Sequence, residues 1–327
     1  MRMQQRLLVA LAGILWLFIA AVAVTAQEGP PGGAPGAPAG RGAAGGGGRG
    51  GLPQIFHPLN SSVWWVFGPS TSNNSNNGII IGRDGVILFD TKNTLEDEQT
   101  LLATLKTITD KPITTVILSH SDGDHTNGLP ALPKGVTVIA QDYCKKTMVD
   151  SAAKGGRGAA NPDYLPTKSF DKKESMTVNG VRLELLHYAP AHTGGDTILY
   201  LPQQKIVFMG DVVLTEQNDP VMHMDNGGSP EGIVESIKGM LALDSNTYVS
   251  GHGTLATKAE LQRRLTIYED KIAKIKALVA QGKTLPEIQE ALGEPVPPPA
   301  PAGGRGGGGL GSFTTNIYTE LTRNNTK

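Results

Sequence analysis

Short apolar runs separated by turn residues fill the middle of the chain. "SVWWVFG", "NGIIIG" and "GVILFDT" are split by Asn, Gly and Asp, and each has the length and composition of a strand. From Thr94 to Thr109 the period changes. Leu95, Leu102, Leu105 and Ile108 recur at helical spacing, and the Thr94 hydroxyl can cap the first turn. "ITTVILSH" then predicts a buried strand, and "GVTVIA", "MTVNGVRLELLHYA", "DTILYLP" and "KIVFMGD" predict four more. "SPEGIVESIKGMLAL" and the stretch from Lys258 to Leu292 predict helices. Strands in two groups with helices outside them imply a layered α/β sandwich. No internal repeat of fixed period is visible.

The two ends of the chain follow a different rule. Arg2 and Arg6 precede an apolar run from Leu7 to Val24, which closes on "AVAVTAQEG". Small residues at Val24 and Ala26 suit cleavage after Ala26, so residues 1–26 predict a secretory signal peptide and Gln27 the start of the mature chain. An uncleaved N-terminal anchor is the alternative, since the run approaches a membrane span. Either way the remainder is expected outside the cytoplasm, periplasmic or secreted. Residues 27–51 are almost entirely Gly, Pro and Ala and predict a flexible linker. Residues 52–327 form the expected domain, with a low-complexity Pro/Gly loop at 295–311 and a shorter Gly-rich loop beginning at Lys154.

Composition narrows the function. A formal net charge of −1 over 327 residues argues against nucleic-acid and membrane-surface partners and leaves a small-molecule substrate as the expected partner. Oligomeric state is not legible. Cys144 is the single cysteine, which excludes an internal disulfide and a zinc–cysteine cluster.

The candidate chemistry lies in "VILSHSDGDHTNGL". His120 and Asp122 are two residues apart in an extended segment and can point the same way. Asp124 and His125 follow Gly123, which permits a sharp turn. Other ligand-type side chains also end strand-like runs: His192 in "YAPAHTGGDT", Asp211 in "KIVFMGD" and His252 in "VSGHGT". Strand ends are where a rigid sheet holds site residues.

This ordered set resembles the metallo-β-lactamase-fold superfamily of metal-dependent hydrolases. The resemblance runs from about residue 55 to 255 and includes "VILFDT". It implies a four-layer αβ/βα sandwich of the metallo-β-lactamase type with two divalent metal ions, ordinarily zinc, along one edge. His120, His192 and the residue at 122 would hold the first ion, Asp124, His125 and His252 the second, and Asp211 would bridge them. The pair would share a nucleophilic hydroxide near neutral pH. Asp124 is the implied catalytic group, orienting that nucleophile.

Asp122 departs from the pattern, because the family usually carries a second histidine there. Three carboxylates (Asp122, Asp124 and Asp211) with one hydroxide balance two divalent cations, and harder oxygen ligands favour iron or manganese over zinc. Flavodiiron oxygen reductases are similar in placing a carboxylate there, but no flavin-binding segment follows the site in this chain. The implied activity is hydrolysis of an ester, lactone, thioester or similar small substrate. A β-lactamase is an alternative, although Asp211 stands where such enzymes usually carry Cys or Ser and "DVVLTEQN" supplies no lysine. A non-hydrolytic metal-binding or redox accessory protein is the other.

His223, in "VMHMDNGG", is expected on a loop over the site and is a candidate substrate contact. His57 is expected at the surface and His187 within the structure. Trp64, Trp65 and Phe67 are expected to pack in the core or form a pocket wall. "NPDYLPTKSF" is a candidate lid or a plain loop, and Met222 and Tyr164 are placed with His223 among loops that set specificity.

Overall fold

The computed structural model describes residues 54–68, 74–296 and 310–323. The expected signal peptide, the expected linker at 27–51 and most of the 295–311 stretch lie outside the described residues. Among the described residues no helix is long and apolar enough to cross a membrane.

Two sheets face each other. The first is built from β1 (Ile55–Pro58), β2 (Val63–Phe67), β3 (Asn77–Ile81), β4 (Val86–Phe89), β5 (Ile113–Ile117), β6 (Thr137–Gln141) and β7 (Lys168–Phe170), paired in that order. β1 to β4 form an antiparallel meander, and β4 to β7 run parallel. The parallel crossovers carry α1 (Leu95–Leu105), a single-turn α2 (Gly123–Thr126) and α3 (Asp142–Lys154). The second sheet has the order β13-β12-β11-β10-β9-β8. Its members are β8 (Lys173–Val178), β9 (Val181–Leu186), β10 (Ile198–Leu201), β11 (Ile206–Phe208), β12 (Thr247–Val249) and β13 (Leu255–Ala256). It is covered by α4 (Pro230–Leu241), α5 (Lys258–Ala280), α6 (Leu285–Ala291) and α7 (Phe313–Arg323).

Period-2 alternation explains the layering. On β4, Ile87 and Phe89 enter the core between the sheets, while Val86 and Leu88 pack under α1 and α3 against Leu101, Leu105 and Met148. On β10, Leu199 and Leu201 face the first sheet, and Ile198 and Tyr200 face the α4–α7 layer. Both faces of these strands are therefore buried, which is why they read as unbroken apolar runs. The result is the αβ/βα sandwich that the sequence implies. Cys144 is buried in the outer core of the first sheet as an apolar filler, and burial pushes its thiol well above the usual range.

Four expectations are corrected. "MTVNGVRLELLHYA" is not one strand but the β8–β9 hairpin, turning at Asn179 and Gly180, both at positive φ. The helix expected from Lys258 to Leu292 is interrupted at Gly282 (φ 78°), and α6 restarts with a Thr284–Glu287 capping box. "NPDYLPTKSF" is not loop throughout, since its last three residues, Lys168–Phe170, are β7. Tyr164 and Met222 are buried; the Tyr164 hydroxyl donates to Leu132 O at 2.9 Å, so neither forms a specificity loop. The tryptophans do pack in the two cores of the first sheet. His57 is exposed and stacked on Trp65, and the ring of His187 bonds to Asp196 O at 2.9 Å.

Candidate metal centre

The C-terminal ends of β4, β5, β11 and β12 meet at one edge of the sandwich. They deliver Asp90, the His120–His125 segment, Asp211 and His252. The loop after β9 adds His192, and the loop between β11 and α4 adds His223. The seven expected ligands are thus brought together, and His223 joins them.

Two groups of donor atoms form. In the first, Asp122 Oδ2 lies 3.5 Å from His120 Nε2 and 3.3 Å from His192 Nε2. In the second, Asp124 Oδ2 lies 3.0 Å from His252 Nε2 and 3.8 Å from His125 Nε2. Asp211 stands between the groups. Its Oδ1 is 3.3 Å from His125 Nε2, and its Oδ2 is 3.6 Å from His252, 3.8 Å from His192 and 4.0 Å from His120. The histidines and Asp211 are buried, whereas the Asp122 and Asp124 side chains keep 23% and 17% of their surface and so face the opening.

Outer partners fix the imidazoles. His192 Nδ1 is 2.8 Å from Val221 O, and a carbonyl can only accept, so Nδ1 carries the hydrogen. His125 Nδ1 is 2.9 Å from the Asp90 carboxylate, with the same consequence. In a neutral ring each Nε2 then presents a lone pair inward, toward carboxylate oxygens that also present lone pairs. A metal cation between them reconciles that arrangement, as does a second proton on the imidazoles when metal is absent. His120 Nε2, His125 Nε2 and Asp211 Oδ1 are indeed buried without a hydrogen-bond partner, and such orphaned atoms are rare in folded proteins. The residues fit divalent metal.

The titration of the groups expresses the same demand for positive charge. Burial would raise the Asp122 carboxyl, but the His120, His192 and His223 imidazoles hold it well below the usual carboxylate range. Asp211 is likewise held low, with His125 and His252 overriding its burial. Burial opposes a proton on His192, yet Asp122 and Asp211 raise its pKa to about 9. His125 and His252 are raised against burial in the same way.

Several supports lie outside the ligand pattern visible in the sequence. Asp90 accepts from Ser119 N at 2.6 Å and orients His125, while holding a positive φ of 62°. It follows the apolar run of "VILFDT" as Asp211 follows that of "KIVFMGD", which was the available signal. Ser119 Oγ sits 2.8 Å from His120 Nδ1. Asp196 accepts from Ala191 N and from Thr193 N and Oγ1, folding the loop that presents His192. Gly251 packs on Asp211 so closely that a Cβ there would run into Oδ1.

A metallo-beta-lactamase superfamily model matches residues 71–252, and the chain belongs to that superfamily. Curated relatives are more distant. The alpha subunit of 2,4-dinitroanisole O-demethylase from Nocardioides sp. (strain JS1661) is 24% identical over 160 residues, covering 49% of this chain and 46% of that protein. A linear primary-alkylsulfatase from Pseudomonas sp. (strain ATCC 19151) is 22% identical over 233 residues, covering 59% and 44%. The chain therefore spans less than half the length of each. Among solved structures, a metallo-beta-lactamase from Pontibacter korlensis has a TM-score of 0.56 at 20% identity, covering 66% of this chain and 99% of that one. The sec-alkylsulfatase Pisa1 from Pseudomonas sp. has a TM-score of 0.61 at 19% identity, covering 83% and 50%. At such identities the likeness establishes the fold.

Proposed function

We propose that this chain is a hydrolase that uses two divalent metal ions to cleave a small ester, thioester or lactone. The observation that supports it is the set of imidazoles, those of His125 and His192 fixed in tautomer, whose Nε2 atoms face Asp122, Asp124 and Asp211 at 3.0–3.8 Å. Ions held there would acidify water to a nucleophile near neutral pH and polarise the oxygen of the bond under attack. Asp211 lies between the donor groups and would keep them at a fixed separation. Asp124 faces the opening and would orient the attacking water and accept its proton. The carboxylate at 122 lowers the net positive charge of the site and points to manganese or iron as well as zinc. Action outside the cytoplasm is part of the proposal and rests on residues 1–26 alone.

A cavity of about 430 Å³ opens beside Asp122, lined by Ser121, Thr126, Asn127, Thr147, Ser151 and Asn226 among others. No lysine or arginine is in its described lining, so it suits a neutral polar group. A second reading is sulfate-ester cleavage. It is favoured by the likeness to the sec-alkylsulfatase, which covers 83% of this chain against 66% for the lactamase. The absence of lysine and arginine from the cavity's described lining argues against it.

The test is a turnover panel of p-nitrophenyl esters, thioesters, lactones, alkyl sulfates and nitrocefin with the metal-loaded protein, and Asp211→Asn as control. Carboxylic ester, thioester or lactone turnover that Asp211→Asn abolishes supports the proposal. Preference for alkyl sulfate or for nitrocefin replaces the substrate, and no turnover of any probe by a fully loaded protein leaves a metal-binding accessory role.

A further inference from the structure

We propose that His223 is a metal ligand, returning from a distant loop the imidazole that the chain lacks at position 122. The inference rests on the two-metal reading above and adds a residue to its first ion, which would then be held by His120, Asp122, His192 and His223.

Three observations carry it. His223 Nε2 lies 2.9 Å from Asp122 Oδ2, the same oxygen that His192 and His120 approach at 3.3 and 3.5 Å. Donor atoms of Asp122, His192 and His223 all lie within 4.8 Å of one another, a spacing that one ion can span. A carboxylate oxygen has two lone pairs, so it cannot satisfy three imidazoles as hydrogen-bond donors. In its neutral form His192 has its hydrogen on the Val221 side. A cation among these atoms satisfies all of them at once.

Secondly, the ring is held in place by its backbone. The His223 N–H donates to His192 O at 2.8 Å, so the two histidines are bound to each other through the main chain. His223 O in turn accepts from Gly228 N at 2.8 Å and Asn226 N at 3.0 Å, closing a tight turn through Gly227 at φ 82°. The His192 and His223 rings meet edge to face, with centroids 5.1 Å apart. A loop residue free to greet substrate has no need of this fixation.

Thirdly, a carboxylate stands on the outward side of the ring. Asp225 Oδ1 lies 3.9 Å from His223 Nδ1. That carboxylate is too far for a direct hydrogen bond, but its charge stands on the Nδ1 side of an imidazole whose Nε2 points at the metal group. The swap also has a chemical logic. Asp122 in place of histidine leaves the first ion with two imidazoles, and His223 restores three while keeping the extra carboxylate.

The experiment compares the parent with His223→Ala and His223→Gln. Glutamine can still donate to Asp122 but is a poor substitute for an imidazole ligand. Each protein is titrated with manganese and zinc against a chromophoric chelator. Each is also loaded with cobalt, and its shifted imidazole N–H resonances are recorded by proton NMR. The expected result is a weakening of one ion, in Ala and Gln alike, beyond the roughly 100-fold that loss of an outer partner costs. One shifted N–H resonance should also disappear. If the Gln protein keeps parental affinity, or if both variants keep every shifted resonance, His223 only hydrogen-bonds Asp122 and the inference fails while the two-metal reading stands. A parent that takes up no metal overturns both.

Discussion

His192 turns its Nδ1–H to Val221 O at 2.8 Å and leaves its Nε2 3.3 Å from Asp122 Oδ2. The loop fixes the tautomer before any ion arrives, so the site is organised by its outer contacts. His192→Ala removes a donor from the first group and should abolish turnover and bind one ion fewer, as read by elemental analysis. Full metal content with full rate in this variant would show that the site is wrongly assigned.

Asp90 acts one step further out. It accepts from both His125 Nδ1 and Ser119 N. Asp90→Asn tolerates the left-handed backbone, but the amide no longer offers a charged acceptor at both contacts. Metal affinity should fall roughly 10- to 100-fold with little change in fold. Chelator competition reads the affinity, and circular dichroism checks that the fold persists.

Removing metal should make stability depend on pH. His192 has its pKa raised to about 9 from 6.5, and His125, His223 and His252 shift the same way. A raised pKa means that the folded metal-free chain holds the proton more tightly than the unfolded chain. That stabilisation is complete below pH 6.5 and is lost as pH rises through about 9. The low pKa values of Asp122 and Asp211 do not vary in this window. Calorimetry of EDTA-treated protein should therefore show Tm falling from pH 6.5 to 9, while loaded protein stays level. A flat profile for the stripped protein would contradict the charge arrangement.

The fold was legible where strands are buried on both faces. Residues such as Ile79, Ile80, Ile87 and Leu88 sit in cores on either side of the first sheet and leave a continuous apolar signature. β1 and β7 escaped because edge strands bury one side at most. β12 is three residues long, and α3, "DYCKKTMVDSAAK", buries only Cys144 and Met148. In the site, His120 to His125, His192, Asp211 and His252 were visible because each follows an apolar strand or its turn. His223 follows none. Its place depends on backbone bonds between two loops, which no local spacing encodes.

Gly251 tests how tightly Asp211 is held. It donates to Gly210 O at 2.7 Å and accepts from Asn76 N at 2.6 Å, so the backbone cannot easily retreat from a new methyl. Gly251→Ala should displace the Asp211 carboxylate, cost about 1–3 kcal/mol of stability as overpacking does, and lower affinity for both ions together. Denaturant unfolding and metal titration measure the two effects. Loss of stability with intact binding of both ions would mean that Asp211 does not bridge.

Asp122 decides metal preference. Its carboxylate sits among His120, His192 and His223, which hold it ionised despite burial. Asp122→His should raise zinc affinity relative to manganese or iron, because imidazole suits zinc better than a hard carboxylate does. Removing one negative charge also leaves the ion pair more positive, so bound water should ionise more readily and the pH–rate profile should move to lower pH. Asp122→Ala should instead cost one ion, since three imidazoles would converge without the anion that balances the charge. The ratio of zinc to manganese affinity, metal content and the pH–rate profile measure these outcomes. Parental values in both variants on all three measurements would show that Asp122 is not a ligand, and that His120 and His192 hold the first ion without it.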